Sequence, residues 1–468
     1  MAISFTLNGE LWEESSVSPT MTALDFLREN AGLTGTKEGC AEGDCGACTI
    51  VMVRNGSDRL EAVNSCLLTM GQLDGAHVVT VEGLEEKGGE LEAVQQAIVT
   101  QHGTQCGFCT PGFVMVLYAL RRSGETVTEE VIHDALAGNL CRCTGYRSIV
   151  DSARVACSVP GTNDINDRSI SLQASETYEA AGQLYYAPKT INELIARRKE
   201  CPDAPLLSGG TDLGLLFSKE RKNFPVTIYI QNVDELRRIE EDDTSFTFGA
   251  AVTYSEALPY IEMEYPSFGV LIHRIGSRQI RNVGTIGGNI GNASPIGDTP
   301  PCLIALDAVL KLRGSGGARE IPLENFFLDY RKTDLADDEV IESVRVPKLD
   351  DGQVFRAYKI SKRYDQDISA VVGAFRLTLG DGVVTDTRIA FGGMAAIPKR
   401  AVNCEAVLTG QAWSEDTVRQ AAGVIGEDFA PIDDHRASAD YRLSVAENLF
   451  VRLFRDIEGV DEVELMAL

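Results

Sequence analysis

The sequence predicts an α+β protein of several domains, and three observations carry that expectation. Its 468 residues exceed one ordinary core and, at roughly 150 residues per domain, suggest about three. Eight of its twelve cysteines fall into two quartets near the N-terminus, Cys40, Cys45, Cys48 and Cys66, then Cys106, Cys109, Cys141 and Cys143, marking two ligand-rich units. Beyond them, strand-like alternation and helix-spaced apolar residues are interleaved toward the C-terminus. A hydrophobic content of 44% and a charged content of 24% are ordinary for a globular chain, and no apolar run approaches the roughly 20 residues of a membrane span. The first ten residues lack the basic and apolar regions of a secretory signal, which predicts a cytoplasmic protein. In that compartment the cysteines read as metal ligands and free thiols rather than a disulfide framework. A net charge of −26 argues against a nucleic-acid partner, because neutralising phosphates takes clustered Lys and Arg.

Element by element, Ile3 to Leu7 alternate and run into Asn8-Gly9, a strong hairpin signal. Thr22 followed by Asp25, ahead of Phe26 and Leu27, predicts a helix start, with Gly32 as its stop. In the loop that follows, Gly35, Gly39, Gly43 and Gly46 are interleaved with Cys40, Cys45 and Cys48, which suits backbone wrapped closely around thiolates. The next unit reads as helical. Leu91, Val94, Ala97 and Ile98 recur at helix spacing before Cys106 and Cys109, and Pro111 opens a buried helix through Phe113 to Leu120. Thr126 and Glu129 predict a capping box for a short helix leading to Asn139 and Cys143. Residues 160–181 are polar and aperiodic, an interdomain linker or an ordered surface loop. An α/β region follows, with glycine-rich segments at 208–212 and 284–291, strand-like stretches at Ala374 to Leu379 and Ile389 to Met394, and helical sequence at 440–457.

A [2Fe-2S] cluster needs four soft anionic ligands, and thiolates supply both softness and charge. The first quartet reads C-x4-C-x2-C with a fourth cysteine later, the spacing of plant-type [2Fe-2S] ferredoxins. Read alone, the second quartet also allows structural zinc. Cys157, Cys201, Cys302 and Cys404 are scattered singly and read as structural thiols. The turn after Leu206 and Leu207 lets backbone N–H groups approach a pyrophosphate, with a plain tight turn equally open. No G-x-G-x-x-G occurs, so a Rossmann-type site has no support.

The segments Gly39 to Cys48, Cys106 to Gly112 and Asn139 to Tyr146 together resemble the iron–sulfur half of the molybdenum hydroxylases, the xanthine dehydrogenase family, and Asn282 to Asp298 resemble its FAD domain. The resemblance implies a β-grasp [2Fe-2S] ferredoxin domain over 1–84, a helical-bundle [2Fe-2S] domain over 85–159, and a linker over 160–181. An α/β FAD-binding domain of the vanillyl-alcohol-oxidase/PCMH type would follow over 182–348, then a C-terminal α+β flavoprotein domain, like that of CO dehydrogenase, over 349–468. Each quartet would hold one [2Fe-2S] cluster. Leu206, Leu207, Ser208, Gly209, Gly210, Thr211, Asp212 and Leu213 would cradle the FAD pyrophosphate. Thr285, Gly288 and Asn289 would add diphosphate and flavin contacts, Asp298 a ribose-side contact, and Ile341 and Lys359 flavin-lining positions. Ile275 falls where some relatives carry an aromatic ring. Lys362 to Asp367 resemble the loop that governs access of NAD, or are a solvated charged loop.

By the same resemblance the chain is an electron-transfer subunit of an NAD-dependent oxidoreductase and carries no catalytic residue for substrate hydroxylation. A large molybdopterin-binding subunit, for which the sequence up to Leu468 has no counterpart, would hydroxylate hypoxanthine or xanthine. Electrons would pass through the second quartet's cluster, then the first's, to FAD and NAD, in an α2β2 heterotetramer without membrane or nucleic acid. Three alternatives stay open: another molybdenum hydroxylase acting on an aldehyde, carbon monoxide or an aromatic acyl-CoA; a self-contained FAD and iron–sulfur dehydrogenase; and a zinc-stabilised binding protein.

Overall fold

The computed structural model describes residues 2–55, 57–84, 89–162, 172 and 174–459. The predicted boundary after residue 84 and most of the predicted linker, 163–171 and 173, lie outside them. The chain divides into two units. The first comprises Met1–Glu235, Thr253–Ser255 and Gly276–Thr285, and the second Leu236–Val252, Glu256–Ile275 and Ile286–Leu468.

The first unit opens on the predicted hairpin. Ile3–Leu7 pairs antiparallel with Glu10–Glu14, and Asn8 and Gly9 both take positive φ, the geometry of a tight turn that matches strand twist. His77–Val79 joins Ile3–Leu7 in parallel, and Thr49–Val53 and Glu61–Asn64 complete a five-stranded sheet. Thr22 caps the helix Ala23–Asp25, its Oγ1 accepting from the Asp25 N–H at 3.0 Å, and the chain continues in wider turns over Phe26–Asn30. Phe26 and Leu27 close the sheet's core with Ile3 and Phe5, the strand–helix arrangement of a β-grasp.

Four helices follow, Ala93–Thr100, Thr110–Arg121, Glu129–Leu136 and Arg147–Cys157. The run from Phe113 to Leu120 is buried throughout, because one side packs on Val51, Val53 and Ala62 of the sheet and the other on the neighbouring helices. Two local expectations change. Leu91 lies before the helix and is 48% exposed, since Glu92 and Gln95 form the actual capping box. Thr128, not Thr126, caps Glu129–Leu136, accepting from the Val131 N–H at 3.3 Å, while the Glu129 carboxylate pairs with Arg154. The last part of the polar stretch 160–181 is a strand. Thr177–Ala180 pairs with Gln183–Tyr186, beside Val226–Tyr229 and Leu206–Leu207. Tyr178, Tyr185 and Tyr229 bury their rings in the core that Phe5 and Phe26 begin.

The second unit holds an antiparallel sheet in the order Ile239–Glu241, Ser245–Gly249, Val340–Pro347, Val309–Gly314, Gly317–Pro322. A second antiparallel sheet runs Gln353–Ile360, Val371–Gly380, Val383–Gly392, Lys399–Arg400. Of the two strand-like stretches read from the sequence, Ala374 to Leu379 lies within the strand Val371–Gly380, and Ile389 to Met394 begins in the strand Val383–Gly392 and runs two residues past its end. Ala439–Glu458 is the predicted C-terminal helix, and Phe450 packs on Phe375 and Phe391 of that sheet.

Candidate cluster and flavin sites

The first quartet sits on the irregular segment between Gly32 and Thr49, with Cys66 just after the strand Glu61–Asn64. Cys48 and Cys66 are buried, Cys40 and Cys45 half-buried. Backbone N–H groups of Glu42 and Cys45 both point at the Cys40 sulfur, each at 3.4 Å. The loop is tight: Ala41, Gly43 and Gly46 take positive φ, and a Cβ on Gly39 would lie 2.7 Å from the Cys45 sulfur. The thiols pair in twos. Hydrogen bonding from Cys45 draws Cys40 down to about 5 while the same contact raises Cys45. Hydrogen bonding from Cys66 holds Cys48 below its ordinary value against burial and raises Cys66 in turn.

The second quartet has the same two-by-two grouping. Exposed Cys106 and Cys143 share one contact, and half-buried Cys109 faces buried Cys141. Burial, then Cys141, pushes Cys109 up to about 12. Cys109 is the residue before Thr110–Arg121, with Pro111 in the first turn, so the positive end of that helix meets the quartet. The Cys141 N–H donates to the Tyr146 hydroxyl at 2.9 Å, and the Thr144 hydroxyl lies 3.2 Å from the Cys141 sulfur. Among the described residues no three Cys, His, Asp or Glu side chains converge on a single ion. A [2Fe-2S] rhomb takes two thiolates on each of its two irons, which both quartets offer.

The predicted flavin residues fall on both units. In the first, Leu206 and Leu207 form a strand parallel to Val226–Tyr229, and Ser208 to Asp212 turn into the helix Leu213–Ser218. A Cβ on Gly209 would lie 1.8 Å from the Val283 carbonyl, so only glycine lets the two glycine-rich segments meet. Thr211 Oγ1 would lie 3.5 Å from a Cβ on Gly284, and Thr285 bridges to Thr253. This loop also packs on Leu67, beside Cys66: Cβ atoms on Gly210 and Gly214 would lie 3.1 and 2.7 Å from its carbonyl. Ser218 Oγ donates to the carbonyl of Ala41, beside Cys40, at 2.9 Å.

In the second unit, Gly288 and Asn289 lie on the helix Ile286–Asn292, and Asn289 Oδ1 accepts from the Thr299 hydroxyl at 2.6 Å. Asp298 and Lys359 form a buried ion pair at 2.5 Å, with Ser369 donating to the other Asp298 oxygen and Lys359 also reaching the Arg274 carbonyl at 3.0 Å. Ile275, next in sequence to Arg274, is half-buried, and Ile341 lies 3.5 Å from where a Gly291 Cβ would be. Arg274 donates to the Tyr364 carbonyl at 3.1 Å and lies over the Tyr364 ring, while Lys362 Nζ donates to the His435 carbonyl at 2.8 Å. The charged loop 362–367 is thereby pinned at two points. The sequence marks Asn139 only as part of the motif that holds Cys141 and Cys143; it gives no sign of Gln279, whose Nε2 donates to Asn139 Oδ1 at 2.7 Å.

Four family descriptions match the chain in order: "2Fe-2S iron-sulfur cluster binding domain" over 5–70, "[2Fe-2S] binding domain" over 80–154, "FAD binding domain in molybdopterin dehydrogenase" over 176–349, and "CO dehydrogenase flavoprotein C-terminal domain" over 356–457. Xanthine dehydrogenase of Emericella nidulans is 33% identical over 97% of this chain and 38% of its own length. Xanthine dehydrogenase 1 of Arabidopsis thaliana is 33% identical over 93% of this chain and 38% of its own. The chain thus spans well under half the length of these curated relatives. Among solved structures, carbon monoxide dehydrogenase from Hydrogenophaga pseudoflava superposes with a TM-score of 0.55 at 30% identity, covering 57% of this chain and 94% of that one. No helix among the described residues is long and apolar enough to cross a membrane.

Proposed function

The chain belongs to the xanthine dehydrogenase family of molybdenum hydroxylases and carries two [2Fe-2S] domains and an FAD domain, and from that premise we propose that it is the electron-transfer subunit of a xanthine dehydrogenase. Its partner is a separate molybdopterin-bearing subunit, in a cytoplasmic α2β2 assembly. When bound, the clusters carry single electrons and the flavin joins them into the pair that NAD accepts as hydride, linking the partner's oxidation of hypoxanthine or xanthine to urate with NAD reduction. Cys106, Cys109, Cys141 and Cys143 hold the cluster at which electrons enter. Cys40, Cys45, Cys48 and Cys66 hold the one that hands them to the flavin.

The observation that carries this order is the packing of the flavin loop on the first quartet. Gly210 and Gly214 press on the carbonyl of Leu67, beside Cys66, and Ser218 bonds beside Cys40. Ser208 to Leu213 offer backbone to the FAD pyrophosphate. In the second unit the buried Lys359–Asp298 pair holds the start of the Thr299–Ala305 helix and the strand Gln353–Ile360 together, with Asn289 bonded to Thr299; Gly288, Ile341 and Ile275 are further flavin-lining positions in this reading. Purification from the native host tests the reading: a large molybdenum-bearing chain is expected to accompany this one, and xanthine to drive NAD reduction. Xanthine oxidation by the isolated chain sinks it. The likeness to carbon monoxide dehydrogenase favours a second reading, another molybdenum hydroxylase, which activity on carbon monoxide or aldehydes without xanthine turnover establishes.

A further inference from the structure

The two quartet loops meet directly. The Leu140 N–H, one residue before Cys141, donates to the carbonyl of Cys45 at 3.0 Å. Beside it, Asn139 Nδ2 donates to the Gly46 carbonyl at 3.0 Å, and Thr49 Oγ1 donates to the same carbonyl at 2.7 Å. Backbone closeness leaves no slack: a Cβ on Gly46 would lie 2.4 Å from the Gly138 carbonyl, and one on Gly112 would lie 2.2 Å from the Gly46 carbonyl.

Over this contact sits Gln279, from a chain segment far from both quartets but within the same unit. Its Nε2 donates to Asn139 Oδ1 at 2.7 Å and toward Thr49 Oγ1 at 3.4 Å. The side chain is fully buried, and its Oε1 finds no hydrogen-bond partner among the described residues. A buried acceptor left unsatisfied costs about 1–3 kcal/mol, and an apolar side chain here would relieve Gln279 Oε1 only by stranding Asn139 Oδ1 in its place. The amide is therefore accounted for by the bond it gives Asn139. The short helix Arg278–Arg281 that carries it is itself held, by the Ser277 cap and by ion pairs of Arg278 and Arg281 to Asp134.

We propose that Gln279 is a positioning residue for electron transfer between the two clusters: by orienting Asn139 it fixes the Cys45–Leu140 peptide contact as the route from one quartet's loop to the other. The transfer moves one electron from the cluster of the second quartet to that of the first, with no bond made or broken. A hydrogen bond in a dry, low-dielectric contact couples its partners more strongly than one in water. The inference rests on the quartets being the cluster ligands.

The test uses the full chain carrying both clusters and FAD, with Gln279→Met, Asn139→Ala and the double variant. After pulsed reduction, the rate at which the electron equilibrates between the clusters is followed by visible difference spectra, alongside iron content and the two electron-paramagnetic-resonance signals. Gln279→Met is expected to keep both signals and full iron while equilibration slows severalfold. The double variant should be no slower than Asn139→Ala, because Gln279 acts through that residue. An unchanged rate in a fully loaded Gln279→Met protein overturns the proposal, as do additive effects. Should Gln279→Met lose iron, Asn139→Leu decides: it keeps the size but has no donor for the Gly46 carbonyl, so unchanged equilibration there is equally fatal. Cys45→Ser separates the underlying assignment, since an intact first-cluster signal in that variant refutes the ligand set rather than the positioning.

Discussion

Gly209 shows how a missing side chain lets two loops meet. Its backbone lies so close to the Val283 carbonyl that a methyl group would sit 1.8 Å away, against backbone rather than a yielding side chain. Gly209→Ala must therefore push the two glycine-rich segments apart. We expect a loss of about 2–3 kcal/mol, the scale of overpacking a rigid site, measured by thermal unfolding. Bound flavin should fall with it, read from visible absorbance. At the same scale the cysteines are ordered by local hydrogen bonds: N–H groups of Glu42 and Cys45 serve Cys40, and the Thr144 hydroxyl reaches Cys141. Such donors favour the thiolate that iron requires.

At the level of elements, the caps decide where helices begin. Thr128→Ala removes the hydroxyl that accepts from Val131 and should cost about 1 kcal/mol, whereas Thr126→Ala should be nearly neutral; unfolding curves of the two variants check the assignment. The C-terminal helix Ala439–Glu458 is tied down differently. Buried Arg442 donates to the carbonyls of Ala370 and Gly393 and to Asp434, with the last bond at 2.7 Å. Burial pushes the Asp434 carboxyl up, but the N–H groups of Ala437 and Arg436 and the Arg442 guanidinium outweigh it and hold the group well below the usual carboxylate range. A depressed carboxyl contributes stability that is complete above its unfolded pKa of about 4 and fades as pH falls toward its folded value. Arg442→Met should cost about 3 kcal/mol near neutrality, since it strands buried acceptors. The gap to the parent protein should narrow below about pH 4, where that contribution is already being lost. A gap constant from pH 7 to pH 3 would exclude Asp434 as its source.

For the whole molecule, both quartets lie in one unit, together with the glycine-rich segment 206–213, while Asp298 and Lys359 lie in the other. Because ligand binding to the folded state alone adds to stability, stripping iron with a chelator should lower the calorimetric transition of the first unit and leave that of the second in place. A single transition that shifts as one would contradict this division. Much of the architecture was readable in advance because its causes are local. Asn8-Gly9 demands a tight turn, Pro111 starts a helix, the C-x4-C-x2-C spacing converges thiolates, and 440–457 carries a long helical pattern. Elsewhere packing chose among local equals: Thr126 and Thr128 both offer a hydroxyl, and the cap went to Thr128 while Glu129 turned to Arg154, 25 residues away. Thr177–Ala180 reads as polar linker but becomes a strand because a partner strand and a buried tyrosine core are there to receive it. The spacing of the cysteines and the order of the domains are legible without any tertiary contact, because both are properties of the chain read in order. Tertiary structure alone brought Gln279 over Asn139, 140 residues distant, because a hydrogen bond between remote segments exists only once packing has placed both.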